Sequence, residues 1–418
     1  MVRKNYIQIN NIFKSMKDVI LFILFTYFLS RGETMKKIYL WLVLLSILII
    51  PSAKAEDTSL AQNAKSAIII EASTGEVIFE KNSDEKLEPA SMTKMMSMLL
   101  IMEAIEQGNI SWNQKITVSE NASSMGGSQI LLETGEQMTV KDLFKGVSIA
   151  SGNDAVVALA EAIAGTEDEF VKMMNAKAQK LKLKNTYFKT PHGLDTEGHY
   201  SSARDMSTIA RELVKHEKVL TFTSVYEDYL REGTDKKIWL VNTNKLVRFY
   251  DGVDGLKTGY TEDAGYCITA TAKKNNMRII AVVMGEPDSK TRNAEISSML
   301  DYSFAQYKTE NLLKNTKTIG KYEIDKGKDK YATIVPKEEA TVLKKKTEKS
   351  KNTTYKVNLK ELKAPIKKGD VVGNLKIKES KKVIRTVDLT VSKNIKKASI
   401  LELYLRNLKD IFTGDINV

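Results

Sequence analysis

Pro89-Ala90-Ser91-Met92-Thr93-Lys94 is the stretch on which the reading of this chain turns. A proline near a helix start, followed by the apolar run Met95-Met96-Ser97-Met98-Leu99-Leu100-Ile101-Met102, predicts a buried helix with Ser91 in its first turn. Residues three apart share a helix face, so Lys94 comes one turn below Ser91. A serine hydroxyl becomes a nucleophile only when a base takes its proton. A lysine serves as that base when it is neutral, and burial beside another cation drives it toward that state. The start of such a helix also offers backbone N–H groups to an anion. Read alone, a helix-capping serine and a solvated lysine are the more common roles for these residue types.

Two segments downstream tip the balance. Ser151-Gly152-Asn153-Asp154 falls between an amphipathic stretch (140–149) and a small-residue stretch (155–164). It reads as a tight link between two helices, with Gly152 permitting the sharp backbone and with Ser151 and Asn153 turned toward a cleft. Lys257-Thr258-Gly259 follows Asp251-Gly252-Val253-Asp254-Gly255-Leu256 and precedes Tyr260-Thr261. On a strand, this offers a cation and a hydroxyl to a carboxylate, and the glycine lets a ligand backbone lie close. Lys257 is also a candidate for the second cation beside Lys94. Strand patterns at 266–272 and 278–284, joined by Lys273-Lys274-Asn275-Asn276, form one hairpin; 66–71 and 76–80, around Ser73-Thr74-Gly75, form another. Strands thus flank a helical stretch, 89–215. That order predicts an α+β fold: an antiparallel sheet assembled from both ends of the domain, with helices packed on it.

S-x-x-K, S-x-N and K-T-G, in that order, are the motif set of penicillin-binding proteins and class A β-lactamases. From about residue 64 to its end the chain resembles the low-molecular-mass penicillin-binding proteins that are D-alanyl-D-alanine carboxypeptidases. The resemblance rests on Pro89-Ala90-Ser91-Met92-Thr93-Lys94, Ser151-Gly152-Asn153-Asp154-Ala155, His192-Gly193-Leu194, Ser202-Ala203-Arg204-Asp205-Met206 and Asp254-Gly255-Leu256-Lys257-Thr258-Gly259-Tyr260-Thr261. It departs at Tyr260, where many members carry histidine. The group expected to act there is a backbone N–H, so the change leaves the mechanism intact and bears on substrate preference.

The resemblance implies a serine β-lactamase/transpeptidase-like domain and a serine D,D-carboxypeptidase that trims peptidoglycan stem peptides ending in D-Ala-D-Ala, with β-lactams as covalent inhibitors. By the same resemblance, Ser91 is the nucleophile and Lys94 its base. Ser151 and Lys257 relay a proton, and Asn153 holds the substrate amide. The N–H groups of Ser91 and Tyr260 form the oxyanion hole. Lys257 and Thr258, on the strand with Gly259, bind the terminal carboxylate with help from Arg292 in Lys290-Thr291-Arg292-Asn293-Ala294-Glu295. Which of Lys94 and the Ser151–Lys257 pair is the base in each step stays open. A class A β-lactamase would carry E-x-x-L-N between the second and third motifs, and the region Asn185-Thr186-Tyr187-Phe188-Lys189-Thr190-Pro191-His192-Gly193-Leu194 has none. The intact motif set argues against a non-catalytic envelope scaffold, while D,D-endopeptidase activity is a variant of the same chemistry.

The rest of the chain sorts into segments. Residues 35–55 have the build of a secretory signal peptide: Met35-Lys36-Lys37, an apolar run 38–50 and Ala53-Lys54-Ala55. Residues 1–34 are a doubtful extension, because Arg31-Gly32-Glu33 can be encoded by a purine-rich ribosome-binding sequence just ahead of Met35. A catalytic domain at 56–308 precedes a lysine-rich, β-patterned domain at 309–392. At 393–418, Ile400, Leu401, Tyr404, Leu405, Leu408, Ile411 and Phe412 recur at helical spacing among basic residues. That fits a helix lying on an anionic membrane surface, the alternative being packing on the β domain or on a second copy. The net charge of +12 suits anionic lipid or wall polymer; nucleic acid is a poor partner for an exported chain without interleaved aromatics. Cys267 is the sole cysteine, so no intramolecular disulfide forms, and its strand context makes it a core residue. His192, His199 and His216 do not group as metal ligands, and no cofactor is expected. The expected location is the outer face of the cytoplasmic membrane.

Overall fold

A computed structural model describes residues 60–348, 352–380 and 382–413; the leader readings at 1–34 and 35–55 lie outside them. Strands β1 (Ser66–Glu71) and β2 (Val77–Lys81) form the first hairpin. The helices α1 (Lys94–Glu106), α2 (Val140–Ala150), α3 (Asn153–Ala164), α4 (Glu167–Lys180) and α5 (Ala203–Leu213) follow. The chain then returns to the sheet with β3 (Val253–Thr261), β4 (Gly265–Lys274) and β5 (Met277–Glu286), and leaves it as α6 (Ser289–Gln306). The sheet order is β2-β1-β5-β4-β3, antiparallel throughout. Strands from both ends of the domain are therefore hydrogen-bonded neighbours, β1 against β5.

The alternation of side chains along a strand divides the interior. Ile68 and Ile70 of β1 and Ile280, Val282 and Met284 of β5 face the core shared with α1 to α5; Ala67 and Ile69 of β1 and Ile279, Ala281 and Val283 of β5 face the core shared with α6. The sheet is buried on both faces, which is why its central strands read as continuous apolar runs. β4 and β5 are longer than the 266–272 and 278–284 expected, because Asn275 and Asn276 both adopt left-handed backbone (φ 49° and 63°). Two such residues make the tight turn whose twist matches a hairpin, so pairing continues to Lys274 and Met277.

Helix α1 is apolar on every side, with Met95, Met96, Met98, Leu99 and Ile101 at most 1 % exposed. A helix of that kind belongs at the centre of the helical layer. Its entry is tighter than expected: Ser91 lies in a 3₁₀ turn, Ala90–Thr93, in which the Met92 N–H bonds the Pro89 carbonyl at 3.1 Å, and the α-helix proper begins at Lys94.

Beyond α6 a five-stranded sheet takes the order Gly320–Glu323, Tyr331–Pro336, Lys382–Val391, Gly373–Glu379, Thr353–Leu359 around Ile334, Leu375, Ile377, Val387 and Leu389. The chain that follows it does not leave the domain at residue 393. Ile395 is 2 % exposed within that core and exchanges backbone hydrogen bonds with Ile366 at 2.8 and 3.0 Å. The last helix, α7 (Ile400–Thr413), starts only after this segment.

Candidate active site

Lys94 gathers the site. It is completely buried, and its Nζ lies 2.9 Å from Ser91 Oγ, 2.6 Å from Asn153 Oδ1 and 2.9 Å from the His192 carbonyl oxygen. Burial, and next the positive charge of Lys257, hold its amine well below the usual lysine range; Asp154 opposes them. That direction favours the neutral form, whose valences fit the partners. A neutral amine has two N–H bonds and one lone pair. Asn153 Oδ1 and the His192 carbonyl can only accept, so they take the two N–H bonds. The lone pair is left for the Ser91 hydroxyl, which is what a base poised on a nucleophile requires.

Each of these groups is held from outside the motif. Ala90, before the nucleophile, has φ +46°. Its turn is clasped by Gly193 (φ +86°), where a Cβ would sit 2.0 Å from the Ala90 carbonyl oxygen. On the other side Gly259 passes so close that a Cβ would meet the Pro89 carbonyl oxygen at 2.8 Å and Met92 N at 3.2 Å. That contact brings the Lys257-Thr258-Gly259-Tyr260 edge strand against the nucleophile turn. The neighbouring Thr93 hydroxyl receives a hydrogen bond from His199 Nε2 at 2.8 Å, because His199 Nδ1 is already taken by the Lys189 N–H at 3.0 Å. Burial holds the His199 imidazole down to about 4, so it stays neutral and keeps this tautomer.

In the Ser151-Gly152-Asn153 link the sharp residue is the serine. Ser151 is left-handed (φ 66°, ψ 28°), whereas Gly152 has ordinary negative φ, −55°. Gly152 is needed for space: a Cβ would lie 2.9 Å from Asp154 Oδ1. Asp154 is the anchor here, since its buried carboxylate accepts from the N–H groups of Ile130 (3.1 and 3.0 Å), Leu132 (3.1 Å) and Ala155 (2.8 Å). Asn153 adds Nδ2 to the Gly126 carbonyl at 2.7 Å. Segment 126–132 is thereby tied to the cleft. Ser151 is 3 % exposed, and among the described residues no hydrogen bond occupies its hydroxyl.

Lys257 is buried, and burial, then the nearby Arg292 charge, bring its amine down to about 7. Its Nζ donates to the Thr258 carbonyl at 2.9 Å, while the Thr258 hydroxyl donates to Thr243 Oγ1 at 2.8 Å. Asn244 Nδ2 fixes the entry to β3 through the Gly255 carbonyl at 3.0 Å. Arg292 reaches the same region from the first turns of α6; it is 5 % exposed and its Nε and Nη2 donate to Asn293 Oδ1 at 3.1 and 3.0 Å. Tyr260 is half exposed and its ring lies on Tyr266, centroids 4.3 Å apart.

The nine residues expected from sequence fall into two adjoining groups, Ser91, Lys94 and Asn153 joined at the amine with Ser151 in the link just before Asn153, and Lys257, Thr258, Gly259 and Tyr260 on the edge strand with Arg292 beside Lys257 from α6. Sequence reasoning did not single out Asp154, His199 or Thr243. Their roles depend chiefly on partners distant in the chain: segment 126–132 for Asp154, Thr93 for His199 and Thr258 for Thr243. Among the described residues no group of three or more His, Cys, Asp or Glu side chains is arranged to hold a metal. Cys267 is buried and free, its thiol pushed up by burial to about 11.

Comparison with known proteins agrees with this geometry. The family model for D-alanyl-D-alanine carboxypeptidases matches residues 52–288, and that for the C-terminal domain of penicillin-binding protein 5 matches residues 307–397. The chain is 52 % identical over 366 residues to the D-alanyl-D-alanine carboxypeptidase DacF of Bacillus subtilis, covering 86 % of this chain and 94 % of that one. Penicillin-binding protein 5 from Haemophilus influenzae superposes with a TM-score of 0.65 at 33 % identity, covering 80 % of this chain and 98 % of its own. Penicillin-binding protein D2 from Listeria monocytogenes, solved in its cefotaxime-bound form, superposes with a TM-score of 0.53 at 30 % identity over 58 % of this chain and 97 % of its own. With a buried lysine on the motif serine and relatives of this closeness along nearly its whole described length, the chain belongs to the D-alanyl-D-alanine carboxypeptidase family of penicillin-binding proteins.

Proposed function

We propose that this chain removes the terminal D-alanine from peptidoglycan stem peptides ending in D-Ala-D-Ala, through an acyl-enzyme on Ser91. Lys94 takes the Ser91 proton as Oγ attacks the penultimate carbonyl carbon. The N–H groups of Ser91 and Tyr260 hold the oxyanion, and donors of that kind contribute roughly 3 kcal/mol each. The C–N bond breaks, the leaving amine takes a proton through Ser151 and Lys257, and terminal D-alanine departs. Asn153 orients the substrate amide, and Lys257, Thr258 and Arg292 bind the terminal carboxylate beside Gly259. Water then hydrolyses the ester and regenerates the hydroxyl. A β-lactam presents a similar carbonyl and acylates the same oxygen.

The observation that carries this reading is the Lys94 amine, buried and 2.9 Å from Ser91 Oγ with both of its N–H bonds already engaged. Ser91→Ala should abolish both labelling by a fluorescent penicillin and release of D-alanine from a diacetyl-Lys-D-Ala-D-Ala peptide. Lys94→Ala should lower both by about 10²- to 10⁴-fold, the contribution of a positioned base. Continued labelling of the Ser91→Ala protein would remove Ser91 from the mechanism.

The envelope setting belongs to the same proposal. Residues 35–55 act as an export signal, 1–34 are not required for it, and 56–308 carry the chemistry. α7 attaches the enzyme to the anionic membrane surface. Ile400, Leu401, Tyr404, Leu405, Ile411 and Phe412 are all more than half exposed, while Arg406 Nη1 donates to the Gly327 carbonyl at 2.8 Å and so docks the opposite side. Among the described residues no helix is long and apolar enough to cross a membrane.

A further inference from the structure

Glu286 ends β5, opposite Tyr266 in the sheet register, and is 1 % exposed. Neither of its carboxyl oxygens meets a hydrogen-bond donor. Its neighbour is a second carboxyl, Glu295, which sits on α6 one turn beyond Arg292. Glu295 Oε1 accepts from the Asn63 N–H and Nδ2, both at 2.8 Å, whereas its Oε2 is buried and also without a donor. Two buried acceptors facing each other repel if both are ionised and bond if one keeps its proton. Since Glu295 already accepts two hydrogen bonds, the proton belongs on Glu286, directed at Glu295 Oε2.

We propose that Glu286 is a positioning residue for the substrate's carboxylate: as a carboxylic acid bonded to Glu295 it leaves the Arg292 guanidinium without an anionic partner, available to the terminal carboxylate of the peptide. The proposal rests on the assignment of Lys257, Thr258 and Arg292 as the carboxylate site. Arg292 is a buried cation whose side-chain hydrogen bonds go to a neutral amide, an arrangement that is costly unless an anion arrives. The carboxyl that bears on it is Glu286; once ionised, Glu286 competes with substrate for that charge.

The other charged and titratable groups around Glu286 are accounted for. On α6 they are Arg292, Glu295 and, at its N-cap, Asp288. On β4 they are Tyr266 and the neutral Cys267 thiol. Lys81 on β2 is the attractive cation, but its Nζ is held by the carbonyls of Ala61, Gln62 and Ala64 at 2.8, 2.9 and 2.7 Å. Lys65 lies against Gly285. Burial first, then the bond to Glu295, raise the Glu286 carboxyl from 4.5 to about 8, while the same bond helps hold Glu295 low. The sign follows: the unfolded chain ionises Glu286 near its ordinary value, so this residue's contribution to stability declines as pH rises from about 4.5 to about 8 and is level above that.

The test compares the wild type with Glu286→Gln, in which an amide N–H replaces the acid proton at every pH. KM and kcat are measured from pH 6 to 9.5 on a peptide ending in a free D-alanine and on its terminal amide. In the wild type, KM for the acid should rise at least about fivefold as pH passes 8, the scale of one partly buried charge, with little change for the amide. In Glu286→Gln the rise should be smaller by about that factor, leaving only the part that Lys257, at about 7, supplies as it loses its own proton, with kcat and the KM below pH 7 staying near wild type. Thermal unfolding over the same range should show the wild type losing stability toward pH 8 relative to the variant. If Glu286→Gln does not fold, infrared spectra of the wild type alone should show a buried carboxylic-acid band at pH 6.5 that disappears above about 8; its absence at pH 6.5 overturns the proposal. An alkaline KM rise of undiminished size in Glu286→Gln overturns it too, leaving the carboxylate site standing. A wild type that does not distinguish acid from amide at pH 7 brings down the carboxylate site itself, and the proposal with it.

Discussion

A lysine can act as a base only after giving up the proton that makes it a good surface residue, and the surroundings of Lys94 favour that loss. Burial removes the water that would stabilise the ammonium, Lys257 adds repulsion, and the two acceptors Asn153 and His192 satisfy the amine that remains. Lys257 is treated less severely, at about 7, and stands with Arg292 beside the position proposed for the substrate's terminal carboxylate. An arriving anion favours the charged form of that lysine, so it is suited to hold a proton with substrate bound and to release it when the leaving amine needs one. Amidating the terminal D-alanine removes the anion. Turnover of the amide should fall by about 10²-fold or more, as expected for losing hydrogen bonds and charge pairing to a buried cationic pocket. Initial-rate measurements on matched acid and amide peptides check this; equal rates would make the enzyme an endopeptidase.

The elements that carry these side chains are positioned by contacts that need glycine at particular places. Gly193 is left-handed and presses on the carbonyl of Ala90, itself left-handed, just before the nucleophile. Gly193→Ala would combine an unfavourable φ with an overlap no side chain can relieve, since the opposing atom is backbone. The expected cost is about 3 kcal/mol, seen as a lower Tm, together with slower acylation by penicillin because the turn holding Ser91 must shift. A variant with normal Tm and normal labelling would show that the turn is held by other means. The same logic explains why the short edge motif of β3 matters as a whole: Gly259 permits the close approach of this strand to the turn that carries Ser91.

Among the described residues, the proposed chemistry and the proposed membrane attachment sit in different parts. The residues proposed for catalysis and substrate binding are drawn from α1, α3, β3, α6 and the links between them, whereas α7 follows a β domain with a core of its own. The apolar side chains of α7 are exposed, and each lysine or arginine held near anionic headgroups adds ~1 kcal/mol of attraction. Removing 400–418, and leaving Ile395 in its core, should keep full activity on soluble peptide while abolishing sedimentation with anionic liposomes. High salt should partly release the full-length mature form. Both forms staying in the supernatant would assign α7 to packing or self-association.

The motif pattern was legible in the chain itself, because it is local: S-x-x-K places two side chains on one helical face, and short β-branched apolar runs at 66–71 and 278–284, bounded by turn residues, announce strands before any packing is known. The order of motifs and the two hairpins were enough to anticipate an antiparallel sheet built from both chain ends. The 3₁₀ entry at Ser91, the left-handed Ser151 and the late start of α7 at Ile400 were not legible, since each is imposed by a distant neighbour: the Ala90 turn by Gly193, the Ser151 link by segment 126–132, the 393–399 segment by Ile366. The protonation states belong to the same class. Lys94, Lys257, His199 and Glu286 are ordinary ionisable residues in the linear chain, and only their joint burial, with partners tens to hundreds of residues away, decides which of them keeps its proton.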